Sequence, residues 1–148
     1  MGYSDGLVEV WQWKERKLTA TFDGHSTGVH RILFLSDHLR LASLSSEGGD
    51  IHIWNLRDGS KVASLSGQLS AFNHLAESRD GRRIAAGGND GTITLWDLDN
   101  YQEVARLRGH RDYVFALAFL PDGNTLTSVS RESMRVWRAA PFSETIQK

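Results

Sequence analysis

Short runs in which apolar and polar side chains alternate recur along the whole chain, separated by turns rich in glycine, aspartate, asparagine and serine. The clearest lies between Gly87 and Asp99. Asp90-Gly91 is a two-residue hairpin turn, because Asp tolerates a positive φ and Gly has no Cβ to forbid it. After it, Thr92 to Trp96 alternates, with Ile93 and Leu95 on one face and Thr92, Thr94 and Trp96 on the other, which predicts a β-strand.

Weaker copies of this strand lie on both sides of it. Leu7-Val8-Glu9-Val10-Trp11, Ile51-His52-Ile53-Trp54, Ile93-Thr94-Leu95-Trp96 and Met134-Arg135-Val136-Trp137 place their tryptophans at intervals of 43, 42 and 41 residues. A second landmark, Gly24-His25, Gly67-Gln68 and Gly109-His110, recurs at 43 and 42. A period near 42, a strand ending in Trp and a Gly-His pair together resemble the WD-repeat family over about residues 5 to 140. That resemblance implies an all-β fold of four-stranded β-propeller blades, whose strands a to d run outward from the axis.

On this frame, residues 1–23 form a partial blade with strands c and d, Leu7 to Trp11 and Lys17 to Phe22. Residues 24–66 form a blade with strands at Val29 to Leu35, Arg40 to Ser45, Ile51 to Trp54 and Lys61 to Leu65. Residues 67–108 form the next, near Phe72 to Glu77, Arg83 to Ala86, Thr92 to Trp96 and Glu103 to Leu107. Residues 109–140 carry strands a to c, Val114 to Leu120, Leu126 to Val129 and Met134 to Trp137, and 141–148 form a tail. Thirteen strands, about three and a half blades, are too few for a closed ring. The chain is expected either to pair with another copy or to be part of a longer propeller. Two copies sum to about seven blades, the family's most common number. At the junction, strands a to c of one chain meet c and d of the other, so the partner's d strand, Lys17 to Phe22, or its c-d hairpin is expected to complete the blade, with the surplus c strand displaced or starting an extra incomplete blade.

The resemblance also implies a buried Asp-His-Ser-Trp hydrogen-bond network. Its members here are His25, Ser43 and Trp54, then Asp90 and Trp96, then His110, Ser128 and Trp137. Either Glu47 or Asp50 takes the place of Asp90 in the second unit. Gln68 and Ala86 replace the His and the Ser of the third unit, so its network is incomplete. The family's partner-binding top face maps onto the positions three and five after the landmark His and the one before the turn Asp: Gly28, His30 and Ser46, then Ala71, Asn73 and Asn89, then Tyr113, Phe115 and Arg131, with Ser4 from the partial blade.

Composition narrows the function. A formal net charge of −1 gives neither nucleic acid nor an anionic membrane surface a global field to use. With no cysteine there is no disulfide and no thiol chemistry. No apolar run approaches a membrane span and the first residues lack a signal-peptide pattern, so a cytoplasmic location is the expectation. His30, His38, His52 and His74 show no metal-ligand spacing, no nucleophile motif accompanies the serines, and Gly87-Gly88 opens a strand and is followed by no Lys-Ser/Thr. No catalytic residue, metal or cofactor is therefore expected. Arg79, Arg82 and Arg83, and Arg106, Arg108 and Arg111, read as a solvated rim, and Trp13 as an interface anchor or an edge cover. These readings give a non-catalytic protein-interaction module or scaffold, expected to be a homodimer. The alternatives are a self-assembling propeller fragment with a purely structural role and a propeller-based enzyme.

Overall fold

The computed structural model describes residues 6–47, 49–66 and 71–139. Met1 to Asp5, Gly67-Gln68 and the tail at 141–148 lie outside the described residues, and with them the positions of Ser4 and Gln68. Thirteen strands and no helix occur among the described residues. A two-stranded sheet joins β1 (Leu7–Gln12) to β2 (Lys17–Asp23). Two four-stranded sheets follow, β3 (Val29–Phe34), β4 (Arg40–Ser45), β5 (Asp50–Asn55) and β6 (Lys61–Ser66), then β7 (Phe72–Glu77), β8 (Arg83–Gly88), β9 (Ile93–Asp97) and β10 (Glu103–Leu107). The last sheet has three, β11 (Ala116–Phe119), β12 (Thr125–Val129) and β13 (Met134–Arg138). Every pairing is antiparallel between consecutive strands, as propeller blades require. The four sheets do not close into a ring.

The strands form because turn chemistry fixes their ends. Asp37, Asp80, Asp90 and Asp122 each accept a hydrogen bond from a backbone N–H two residues on, the Asx turn that reverses the chain. The faces between sheets make the core. Phe22 of β2 stacks on Trp54 of β5, their ring centroids 5.3 Å apart. Leu65 of β6 shares an apolar cluster with Trp96, and Leu107 of β10 and Trp137 pack against one common apolar cluster. Each blade's outermost strand thus contributes to the apolar cluster that holds the tryptophan of the blade that follows. Burying such a side chain contributes about 1.5–3 kcal/mol, which outweighs a single net hydrogen bond of about 1 kcal/mol. Stacked sheets therefore hold one another in place.

Three glycines permit close approach within and between blades. A Cβ on Gly24 would lie 2.7 Å from Cη2 of Trp54, and one on Gly109 would lie 2.9 Å from Cη2 of Trp137, so the landmark glycine is the platform for its own blade's indole. Gly91, at φ 79°, is pressed against the next blade, where a Cβ would meet the His110 carbonyl oxygen at 2.5 Å.

Leucines plug the outer end of the first two seams. Leu56 packs against the first seam, and Leu98 lies in the cluster between the second and third sheets, where its carbonyl accepts from Arg40 Nη1 at 2.8 Å. The matching residue two after Trp137 is Ala139. That smaller side chain borders a cavity of about 430 Å³ lined by Leu95, Val104, Leu107, Phe119, Leu126 and Trp137.

Comparing Gly91→Ala with Gly123→Ala isolates the contact between blades. Both glycines have positive φ, but nothing lies within 4 Å of a Cβ at Gly123. Urea unfolding should show a loss of about 1–2 kcal/mol for Gly123→Ala, from backbone strain alone. Gly91→Ala should lose about 1–3 kcal/mol more.

Candidate functional site

Two buried serines each organise a polar network. In the second sheet, Ser43 Oγ accepts the indole N–H of Trp54 at 2.7 Å and lies 2.6 Å from Nε2 of His25. In the fourth, Ser128 Oγ accepts from Trp137 at 2.8 Å and lies 2.6 Å from Nε2 of His110. Register places each serine two residues along the strand from the tryptophan's own partner, Leu41 or Leu126. The matching residue in the third sheet is Ala86, beside Ile84, which pairs with Trp96. There Trp96 meets Phe72 edge-on, with centroids 5.5 Å apart.

The acidic position of the network differs between the sheets. Asp90 accepts from the Thr92 N–H. In the second sheet neither Glu47 nor Asp50 reaches His25: the longer turn is held by Ser45 Oγ, which donates to the Glu47 carbonyl and accepts from the Asp50 N–H. Among the described residues, His25 Nδ1 is buried without a hydrogen-bond partner. In the fourth sheet, where the turn is one residue short, Ser133 Oγ comes within 3.1 Å of His110 Nδ1. The sequence contains this substitution, but only the changed turn length hints at it.

A second feature invisible in the pattern is His52, which stacks on His25 with centroids 4.1 Å apart and planes 9° apart. Burial first, then His25 and Lys61, push its pKa down to about 4 against the opposing charge of Asp50. His25 is also depressed, mainly by burial, with Asp50 opposing and Lys61 reinforcing. Among the described residues, no three His, Cys, Asp or Glu side chains converge as a metal site.

At one end of every sheet lie the connections into strand a and the b–c turns. Among the described residues, the structure brings mapped positions together there in the second, third and fourth sheets. The Ser46 N–H donates to the Gly28 carbonyl at 2.6 Å, the Asn89 N–H donates to that of Ala71 at 2.9 Å, and Arg131 Nε donates to the Tyr113 hydroxyl at 3.2 Å. The position five after the landmark has its own geometry. His30 is skipped by the register between Val29 and Arg31, and Asn73 by that between Phe72 and His74, so both sit at β-bulges. A bulge re-aims a side chain out of the pleat. His30 is exposed, and Asn73 Nδ2 donates to Asn89 Oδ1 at 2.6 Å. Phe115, at the matching place just before β11, is 41% exposed. Arg131 lies 5.0 Å over the Tyr113 ring, and Tyr113 is tilted against Phe115 with centroids 5.9 Å apart. Arg31 links the second and third blades by donating to the Asn73 carbonyl at 3.3 Å.

The rim behaves differently. Arg106 pairs with Glu103 at 2.7 Å on the outer strand, and Trp13 stands 80% exposed in the β1–β2 turn with Lys14 Nζ 5.7 Å from its ring.

The family model described as "WD domain, G-beta repeat" matches residues 16–55, 59–97 and 101–138. Among curated proteins, the chain is similar to Transducin beta-like protein 3 of Rattus norvegicus, 32% identical over 152 residues that cover 94% of this chain and 19% of that protein. It is also similar to WD repeat-containing protein srw1 of Schizosaccharomyces pombe, at 30% identity over 93% of this chain and 25% of that protein. The Nuclear distribution protein nudF of Aspergillus niger is 28% identical over 80% of this chain and 27% of its own length. The chain spans about a fifth to a quarter of the length of these relatives.

Two outcomes test the buried network. Ser43→Ala leaves an indole N–H and an imidazole nitrogen unsatisfied together, so urea unfolding should show a loss of about 1–3 kcal/mol. For His52, the unfolded chain binds more protons than the folded one between its ordinary value of 6.5 and about 4. Stability is therefore full above that window and falls as pH drops through it. The loss should be about 2–3 kcal/mol and should flatten in His52→Thr, which installs the residue type found at Thr94; equal pH slopes for both proteins would contradict it.

Proposed function

Because the chain belongs to the WD-repeat family, we propose that it is a non-catalytic protein-interaction module that binds a protein partner through the end of the sheets carrying His30, Ser46, Asn73, Asn89, Tyr113, Phe115 and Arg131, and that it works as a homodimer. Proteins of this family generally mediate protein interactions. The observation that carries the reading is the repeated pairing of the residue three after the landmark with the residue before the b–c turn, at the same end of all three blades. This pairing supplies a row of residues held by the scaffold beneath it.

Within that row, Tyr113, Phe115 and Arg131 have the composition of a binding hot spot. An aromatic pair and a guanidinium stacked on it offer large contact area at low conformational cost. The Arg131 stack also holds the Tyr113 ring in place before any partner arrives, which reduces the ordering cost of binding. Unequal blades support the same assignment, since Gly28 and Ala71 present almost no side chain where the fourth blade presents Tyr113.

Affinity capture with mass-spectrometric identification supplies the partner, and calorimetry then ranks the variants. Tyr113→Ala and Arg131→Ala should each weaken binding by about tenfold or more. Phe115→Ala should also weaken it, once its fold is checked by circular dichroism. Arg79→Ala and Arg106→Ala on the rim should change affinity less than about threefold. A partner whose affinity falls with the rim variants and not with the others would overturn the assignment.

A further inference from the structure

The homodimer reading leaves open which surfaces meet, and the repeats themselves supply the answer. Inside the chain one interface is made three times. Its first half is the side of a sheet that faces the next blade: Val8 in the first, Ile51 and Ile53 in the second, Ile93 and Leu95 in the third, exposed by 0, 0, 0, 0 and 9%. Its second half is the tryptophan-bearing side of the following blade, where Trp54 and Trp96 are each 3% exposed.

Both halves occur once more, uncovered. Register aligns Val136 with Ile53 and Leu95, since it pairs with Thr127 as they pair with Ala42 and Ala85. Val136 is 51% exposed and its neighbour Met134, aligned with Ile51, is 70% exposed. At the other end Trp11, in line with the other strand-ending tryptophans, is 48% exposed. Among the described residues, no sheet stacks on the far side of β11–β12–β13 or on the near side of β1–β2.

Resting on the homodimer reading, we infer that a second copy docks head to tail, its Trp11-bearing β1–β2 sheet taking the follower's place on the Met134 and Val136 face. The occupant is another copy because the surface on offer is the missing half of the same contact, with the polarity that the chain already uses three times. Such a contact is heterologous: one chain gives its last sheet, the other its first. Two of these contacts join two chains into a ring of eight sheets, four from each. The five strands at each junction stay as two neighbouring sheets, and no strand has to be displaced. Closure removes both apolar faces from water at once, which an open chain of copies never does.

Sedimentation equilibrium at micromolar concentration, with two single variants and their mixture, tests this. The native chain should sediment at twice its 16.6 kDa. Trp11→Asp and Val136→Asp each spoil both contacts of a uniform dimer, so each should associate at least about tenfold more weakly. Both positions are about half exposed in the single chain, so the variants should keep their fold, which circular dichroism checks. Mixed in equal amounts, they should recover a species of twice the chain mass, because the intact Trp11 of one meets the intact Val136 of the other. Native chain at 16.6 kDa, a dimer indifferent to both substitutions, or no recovery on mixing would each overturn the proposal. Tyr113→Ala should leave the mass unchanged, so failure here and failure of partner binding are read separately.

Discussion

One hydroxyl group, repeated in two blades, ties each blade to its own indole. Ser43 Oγ takes the Trp54 N–H at 2.7 Å while His25 Nε2 sits 2.6 Å away, and Ser128 repeats the arrangement with Trp137 and His110. The bond matters less for its own net contribution, about 1 kcal/mol, than for where it sets the ring. With its N–H turned into the blade, the indole lays its apolar edge on the landmark glycine and its face toward the strand of the preceding blade. A buried hydrogen bond thereby prepares a surface for packing. In the third blade Trp96 holds the same position without a serine on β8, beside Phe72, so blade stacking tolerates one missing bond when an aromatic neighbour replaces it.

Stacking then sets what each blade can present. Because Gly91 must lie against the His110 carbonyl, the b–c turn of one blade is fixed beside the landmark of the next. That places the bulged residues and turn residues in a row at one end of the sheets. The same stacking explains the two uncovered ends. A propeller blade has two apolar faces and needs two neighbours, so a chain of four sheets that do not close leaves one face open at each end.

The strands and their grouping were legible in the sequence because two signals agreed, the hairpin chemistry of Asp-Gly and Asp-rich turns and the period of the strand-ending tryptophan. Strand a of the last blade was less so: Val114 and Phe115 look like strand, but pairing in β11 starts at Ala116, since Val114 N–H donates to the Gly88 carbonyl of the neighbouring blade. The serines beneath the tryptophans could be named because their spacing is fixed by register. What faces the Nδ1 atoms of His25 and His110 could not. A one-residue change in turn length removes a carboxylate from reach in one blade and brings Ser133 in for it in another. The His25 and His52 stack, and the bulges at His30 and Asn73, leave no periodic trace, since alternation cannot distinguish a side chain in the pleat from one turned out of it.

Indole N–H exchange, followed by nuclear magnetic resonance, tests the hydroxyl-centred account most directly, because the five tryptophans give five separate signals. The bonded indoles of Trp54 and Trp137 should be protected from exchange with deuterium, while Trp13, 80% exposed, should exchange at the rate of a free indole. Protection at Trp54 should fall when Ser43 is replaced by Ala and not when Ser45 is. Rapid exchange at Trp54 in the native protein, matching Trp13, would contradict the claim that the serine hydroxyl positions the ring.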